Sequence, residues 1–428
     1  MKFKQLAVLL ILVLTLPLFL NCTSTAKAIT TQASPSLYFG VDVAFESIAL
    51  TEQLIDNVSS YTNFFVIGCD GGNNLTRLTI ISQYVYDKGL TFIVYSDTST
   101  YPSSQWLEYA KNNWGNSFLG IYYLDEEGGK QLDQSSYHIV READSYSDAN
   151  KSYVTTLNWL LRNGLFAITN NFAYPTEYQL FTSDYGLYWY DYEAGYNTVF
   201  TEFGWETGWA NDSQQLNVAL CRGAATAFNE DWGVMITLTH NQQIEPGPAL
   251  YSDMLAAYEN GAKYIIVFDS NANYTQNVLQ QQQLDAMKQF WQYVQANPRT
   301  ITPVSERTAY VLPEDYGYGF RGPDDKIWGL WNADSLTIDI GMSVSTLLQM
   351  DGNNLDIVYP SQSLESAGYH SIIYWNDTAL IPTPSPSPQQ VTSLLFYANS
   401  IYLYVTVASI LVAVAVAATV LKFRKRSE

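Results

Sequence analysis

The sequence predicts an α/β fold: a (β/α)8 TIM barrel, followed by a small α/β module, a Pro-rich stalk and one C-terminal transmembrane helix. Three observations predict the barrel. Short apolar runs alternate with helical patterns eight times, over about 250 residues, which is what this barrel requires. Each run is apolar nearly throughout, as strands covered on both faces are. No G-x-G-x-x-G follows an early strand, so the rival, an open dinucleotide-binding sheet, has no support.

In chain order the expected strands are residues 38–45, 63–69, 91–95, 118–124, 165–169, 198–201, 232–238 and 264–268. Helical patterns fall at 75–88, 104–113, 214–229, 250–260 and 278–296. Gly89, Gly261 and Pro298 supply stop signals. Residues 128–164 are too long for one connection and predict two helices. Residues 171–195 read as a ring-rich loop, with Tyr178, Tyr185, Tyr188, Trp189, Tyr190 and Tyr192. Long barrel loops sit at the functional face. The barrel is expected over 36–300 and the module over 301–378. The module has strands at 309–312, 355–359 and 370–375 and a helix at 335–350. Its segment 316–325, rich in Gly and Tyr, reads as a loop able to cap the barrel mouth or as a plain surface loop.

Both ends carry targeting signals. Lys2 and Lys4 precede an apolar run over 6–20, and Ala26 and Ala28 flank Lys27 in an A-x-A pattern. Residues 1–28 therefore read as a secretory signal peptide. Alternating prolines over 379–393 read as an extended spacer or glycosylated stalk. Residues 397–421 read as a membrane span with tyrosines at its start. The basic tail at 422–428 puts the body outside and the tail inside.

Charged residues are only 14% of the chain, so Tyr, Ser, Thr, Asn and Gln supply much of the polar surface. The formal net charge is −20. Removing three lysines with the leader and four basic residues with the tail leaves 14 of 21 basic residues. Against them stand 40 of 41 acids, a balance of −26. Such a surface repels phosphate backbones, which argues against nucleic acid as a partner. Cys22 lies in the leader, and nothing demands that Cys69 and Cys221 pair. Six N-x-S/T sequons, at Asn57, Asn74, Asn150, Asn211, Asn273 and Asn376, fit an outside location.

In this fold, reacting groups come from the C-terminal strand ends. The first expected strand carries Asp42; Asp125 and Glu126 follow the fourth, Asn170 the fifth and Glu202 the sixth. His240 and Asn241 follow the seventh and Asp269 the eighth. With Tyr188, Trp189 and Trp205 near, this makes a ring of carboxylates, amides and aromatics that suits a sugar. Carboxylates act on glycosidic bonds, polar groups bond hydroxyls, and rings cover pyranose faces. A strand-end carboxylate can also be a simple helix cap. No G-x-S-x-G or H-E-x-x-H occurs, and no cofactor or metal is expected.

Residues 120–127, GIYYLDEE, resemble the strand-4 acid motif of (β/α)8 glycoside hydrolases. The resemblance implies Glu126 as acid/base. Glu202 is the nucleophile or water-activating base by position. A strand-4 plus strand-6 pair is similar to the α-galactosidase and α-glucosidase groups, which use aspartates. The chain lacks an Asn-Glu pair on strand 4, and after strand 7 no carboxylate comes before Glu245. Two functions are expected: a membrane-anchored extracellular glycoside hydrolase, or a non-catalytic glycan receptor or structural surface protein on a degenerate barrel.

Overall fold

A computed structural model describes residues 36–377, apart from 46, 69–73, 98–101, 170–177, 205–209, 241–242 and 323–324. The expected leader, stalk, span and tail lie outside the described residues. Among those described, no helix is long and apolar enough to cross a membrane.

Eight parallel strands close into a barrel. In chain order the elements begin β1 (Tyr38–Val43), α1 (Ile48–Val58), β2 (Phe64–Ile67), α2 (Leu75–Asp87), β3 (Thr91–Ser96) and α3 (Ser104–Trp114). Then come β4 (Phe118–Tyr123), α4 (Glu127–Leu132), α5 (Tyr146–Thr169), β5 (Gln179–Asp184), α6 (Tyr188–Ala194), β6 (Thr198–Gly204) and α7 (Ala210–Phe228). The barrel finishes with β7 (Asp231–Thr237), a small hairpin of β8 (Thr239–His240) and β9 (Gln243–Ile244), α8 (Gly247–Glu259), β10 (Tyr264–Phe268) and α9 (Gln281–Ala296). β10 closes the ring by pairing with β1, Tyr38 opposite Tyr264.

The helices start where short polar side chains accept a free backbone N–H. Ser47 takes that of Leu50, Asn74 that of Arg77 and Ser103 that of Trp106. Side chains alternate between the barrel's inside and the helix layer. The inside is filled by Tyr38, Phe64, Val66, Ile93, Tyr122, Phe181, Phe200, Met235, Tyr264 and Ile266. Tyr38 and Tyr264 stack with centroids 4.8 Å apart. The interior is a packed core, and any chemistry belongs to its rim.

One expected strand is wrong. Residues 165–169 were assigned to the fifth strand, but their backbone continues helix α5. Tyr153, Leu157 and Leu161 lie one helical turn apart and are fully buried. A short apolar run such as 165–169 does not by itself distinguish a strand from a helix. The true β5 is QLFTSD, whose C-terminal half is polar. The ring-rich segment after it is mostly element, not loop: it holds β5 and α6.

Beyond the barrel, β11 (Thr308–Val311), α10 (Ser335–Asp351), β12 (Leu355–Val358) and β13 (Ser371–Tyr374) follow. The strands make a parallel sheet in the order β12-β11-β13. This sheet lies in one compact unit with the barrel. Arg222 of α7 and Arg307 clamp the fully buried Asp356 of β12 at 2.7 and 2.8 Å. Trp328, fully buried, packs against Tyr153 and Tyr190.

Candidate active site

The chain leaves β4 through a sharp bend. Leu124 and Glu126 both have left-handed backbones, with φ of 59° and 54°. For residues with a Cβ this costs about 1–2 kcal/mol each. Hydrogen bonds fix the bend: Glu126 N–H donates to Ser183 O at 2.9 Å. The N–H groups of Gly128 and Gly129, in the first turn of α4, donate to Asp184 at 2.6 and 2.8 Å.

Around the bend, carboxylates converge from β4 and β6. The carboxyls of Glu126 and Glu202 interact directly, each bearing on the other's proton. Ser183 Oγ lies 2.8 Å from Glu202 Oε1 and 2.9 Å from Asp125 Oδ1. Tyr122 donates to Asp125 at 2.5 Å and also reaches Ser183 at 2.8 Å. A serine has one proton to give. Tyr122 serves Asp125, so Ser183 is free to serve Glu202.

Two acids in contact cannot both ionise cheaply. Burial, and then the Asp125 charge, push Glu126 up to about 7. Burial, then Glu126 and Asp125, hold Glu202 well above the ordinary carboxylate range, while the Ser183 hydroxyl opposes the shift. The pair therefore shares one proton, with Ser183 donating to Glu202. Beside them, Lys130 bonds Glu127 at 3.0 Å and the Asp125 carbonyl.

The other expected residues divide. Asp42 ends β1, buried and raised by burial and by Asp125. One of its oxygens lacks a hydrogen-bond partner. Asp269 is fully buried and accepts the N–H groups of Val278 and Leu279, so it shapes the loop after β10. Tyr188 and Trp189 are not brought to the mouth. Tyr188 is buried with its hydroxyl on Thr201 at 2.8 Å, and Trp189 packs on Phe228 and Tyr359. Their helix, α6, lies in the outer layer, where large rings fill space. Asn170, Trp205, Asn241 and the His240 side chain lie outside the described residues.

The structure also brings in residues that the sequence did not single out. Ser183 and Asp184 were hidden because β5 was misplaced. Tyr95 at the end of β3 packs edge-on to Tyr122 at 5.3 Å. Tyr274, in the loop after β10, is 53% exposed, and its phenol is raised by burial and by Asp125, Glu126, Asp42 and Glu202. A half-exposed ring beside four carboxyls was signalled only by its place after a strand. Arg321 in the 316–325 loop bonds Asp133 and Asp325, each at 2.8 Å, and lies over the Tyr185 ring. This fixes the loop against the segments that follow β4 and β5.

No family model and no curated protein matches the chain. Among solved structures, an endo-1,4-beta-mannanase from Eisenia fetida aligns at 11% identity over 61% of this chain and 91% of its own, with TM-score 0.41. A beta-mannanase from the blue mussel Mytilus edulis aligns at 9% over 61% and 92%, with TM-score 0.36. A 3-deoxy-D-arabino-heptulosonate 7-phosphate synthase from Thermotoga maritima aligns at 9% over 61% and 86%, with TM-score 0.32. Overlap at this level leaves the activity to be read from the chain's own residues.

Proposed function

We propose that the chain is a glycoside hydrolase, anchored in the membrane by its C-terminal span and acting on glycans outside the cell. The observation that carries this reading is the Glu126–Glu202 pair, two carboxyls in contact at the C-terminal rim of a closed parallel barrel. Glu126 holds the proton and protonates the leaving oxygen. Glu202, oriented by the Ser183 hydroxyl, attacks the anomeric carbon in its ionised form. Water then releases the sugar, with Glu126 returning as base.

The direct interaction of the two carboxyls favours retention of configuration. An inverting pair stands roughly 6.5–9.5 Å apart to admit a water, and a retaining pair about 5–5.5 Å. Asp42 and Asp125 remain the proposed hydroxyl-binding groups, with Tyr274 as an added sugar-contacting ring.

The test is to incubate the purified full chain with a panel of extracellular polysaccharides and follow new reducing ends. Cleavage with retained anomeric configuration is expected. Measurable glycan binding with no cleavage would favour the receptor reading instead.

A further inference from the structure

We propose that Asp184 is a positioning residue for Glu126: its carboxylate, gathering four backbone N–H groups, holds the backbone bend from which Glu126 projects. This rests on the glycoside hydrolase reading. Asp184 closes β5 and is 1% exposed. Four backbone N–H groups converge on it, from Gly128 at 2.6 Å, Gly129 at 2.8 Å, Tyr185 at 2.7 Å and Gly186 at 3.1 Å. Gly128 and Gly129 stand two and three residues after Glu126. The carboxylate lies against bare backbone there: a Cβ on Gly128 would come within 2.8 Å of Asp184 Oδ2 and 2.4 Å of Gly186 O. A left-handed Glu126 is not self-supporting, and this anchor acts beside the bond from its own N–H to Ser183 O.

Asp191 on α6 is equally buried, and its carboxyl interacts directly with that of Asp184. Tyr153 of α5 donates to its Oδ1 at 3.0 Å. Two carboxyls in contact share one proton. The four N–H donors favour charge on Asp184, so the proton belongs to Asp191. The other groups facing the pair are Glu126, Glu127 and Glu202, the phenols of Tyr153, Tyr185, Tyr188 and Tyr196, and the Cys221 thiol. Among the described residues, neither carboxyl has a cation partner.

Two near-isosteric variants separate positioning from charge. Asp191→Asn still donates a hydrogen bond to Asp184. Asp184→Asn turns an N–H toward Gly128 or Gly129. Each leaves one carboxyl in the pair. In the full chain, Asp184→Asn is expected to lower kcat roughly 10- to 100-fold, with KM changed less than about two-fold, as a displaced reacting group does. Asp191→Asn is expected to retain kcat. In 13C-glutamate-labelled protein, the Glu126 titration midpoint moves down in Asp184→Asn and stays in Asp191→Asn. Equal effects in both variants, or an Asp184→Asn protein with unmoved kcat and midpoint, would overturn the proposal. If Asp184→Asn does not fold, Asp184→Ser, which keeps one acceptor in the same space, gives the same readouts. Should the wild type turn over no glycan, the hydrolase reading fails by itself. The Glu126 midpoint then still decides the positioning role.

Discussion

Burial and the neighbouring Asp125 raise Glu126, while its hydrogen bond with Glu202 opposes the shift. An acid catalyst must be protonated to act. Its raised midpoint therefore predicts that kcat/KM falls as pH rises through about 7. A pH–rate profile checks this. A profile flat between pH 6 and 8 would remove Glu126 from the acid role. The carboxylates were legible in the sequence because GIYYLDEE ends a strand in consecutive acids, and Glu202 ends the strand two places on. Ser183, which donates to Glu202, was not legible: a serine in a polar strand end carries no signal of its own. Trp189 shows the converse, since nothing local separates a ring that fills the outer layer from one that faces a sugar.

Among the elements, seven of the eight barrel strands lie within a few residues of their expected positions. They are runs bounded by helices with stop signals such as Gly89 and Gly261. The fifth failed because the helix before it ends in Leu-Phe-Ala-Ile, which has strand composition, while the strand itself ends in Thr-Ser-Asp. Tertiary pairing with Gly120 and Ile121 of β4 overrides local preference there. The contact between small sheet and barrel was invisible for a similar reason: Arg222 and Asp356 are 134 residues apart. Removing one partner of a buried ion cluster strands the others. Asp356→Ala, which leaves Arg222 and Arg307 buried and unpaired, is predicted to destabilise the fold by about 3–5 kcal/mol in urea unfolding. A loss below about 1 kcal/mol would show that the clamp contributes little.

Across the whole molecule, carboxyl pairs recur. Beside Glu126–Glu202 and Asp184–Asp191, Glu245 meets Asp253, with Gln214 donating to Asp253 at 2.9 Å. Burial pushes Asp191 up to about 8, and burial with Asp253 pushes Glu245 up to about 9. A carboxyl raised on folding stabilises the fold fully below its unfolded value and loses that contribution as pH rises through the folded one. The thermal midpoint is predicted to be highest near the ordinary carboxylate range and to fall toward pH 9. Glu245→Gln should flatten the upper part of that fall. A midpoint that rises or stays level over this range would contradict the proton-sharing arrangement.

The placement of the body outside a membrane is proposed from the two chain ends. It predicts that the full chain sediments with membranes and that deleting residues 397–421 releases it. Soluble full-length chain would contradict the anchor. Where the protein sits and what it does are separable, and the second is the central claim. It is tested most directly by measuring reducing-end release on the best panel glycan, with wild type beside Glu126→Gln and Glu202→Gln at matched folded content. Both variants are predicted to lose about 10²–10⁴-fold in kcat. Wild-type rates in either variant would contradict the claim that this carboxyl pair cleaves glycosidic bonds.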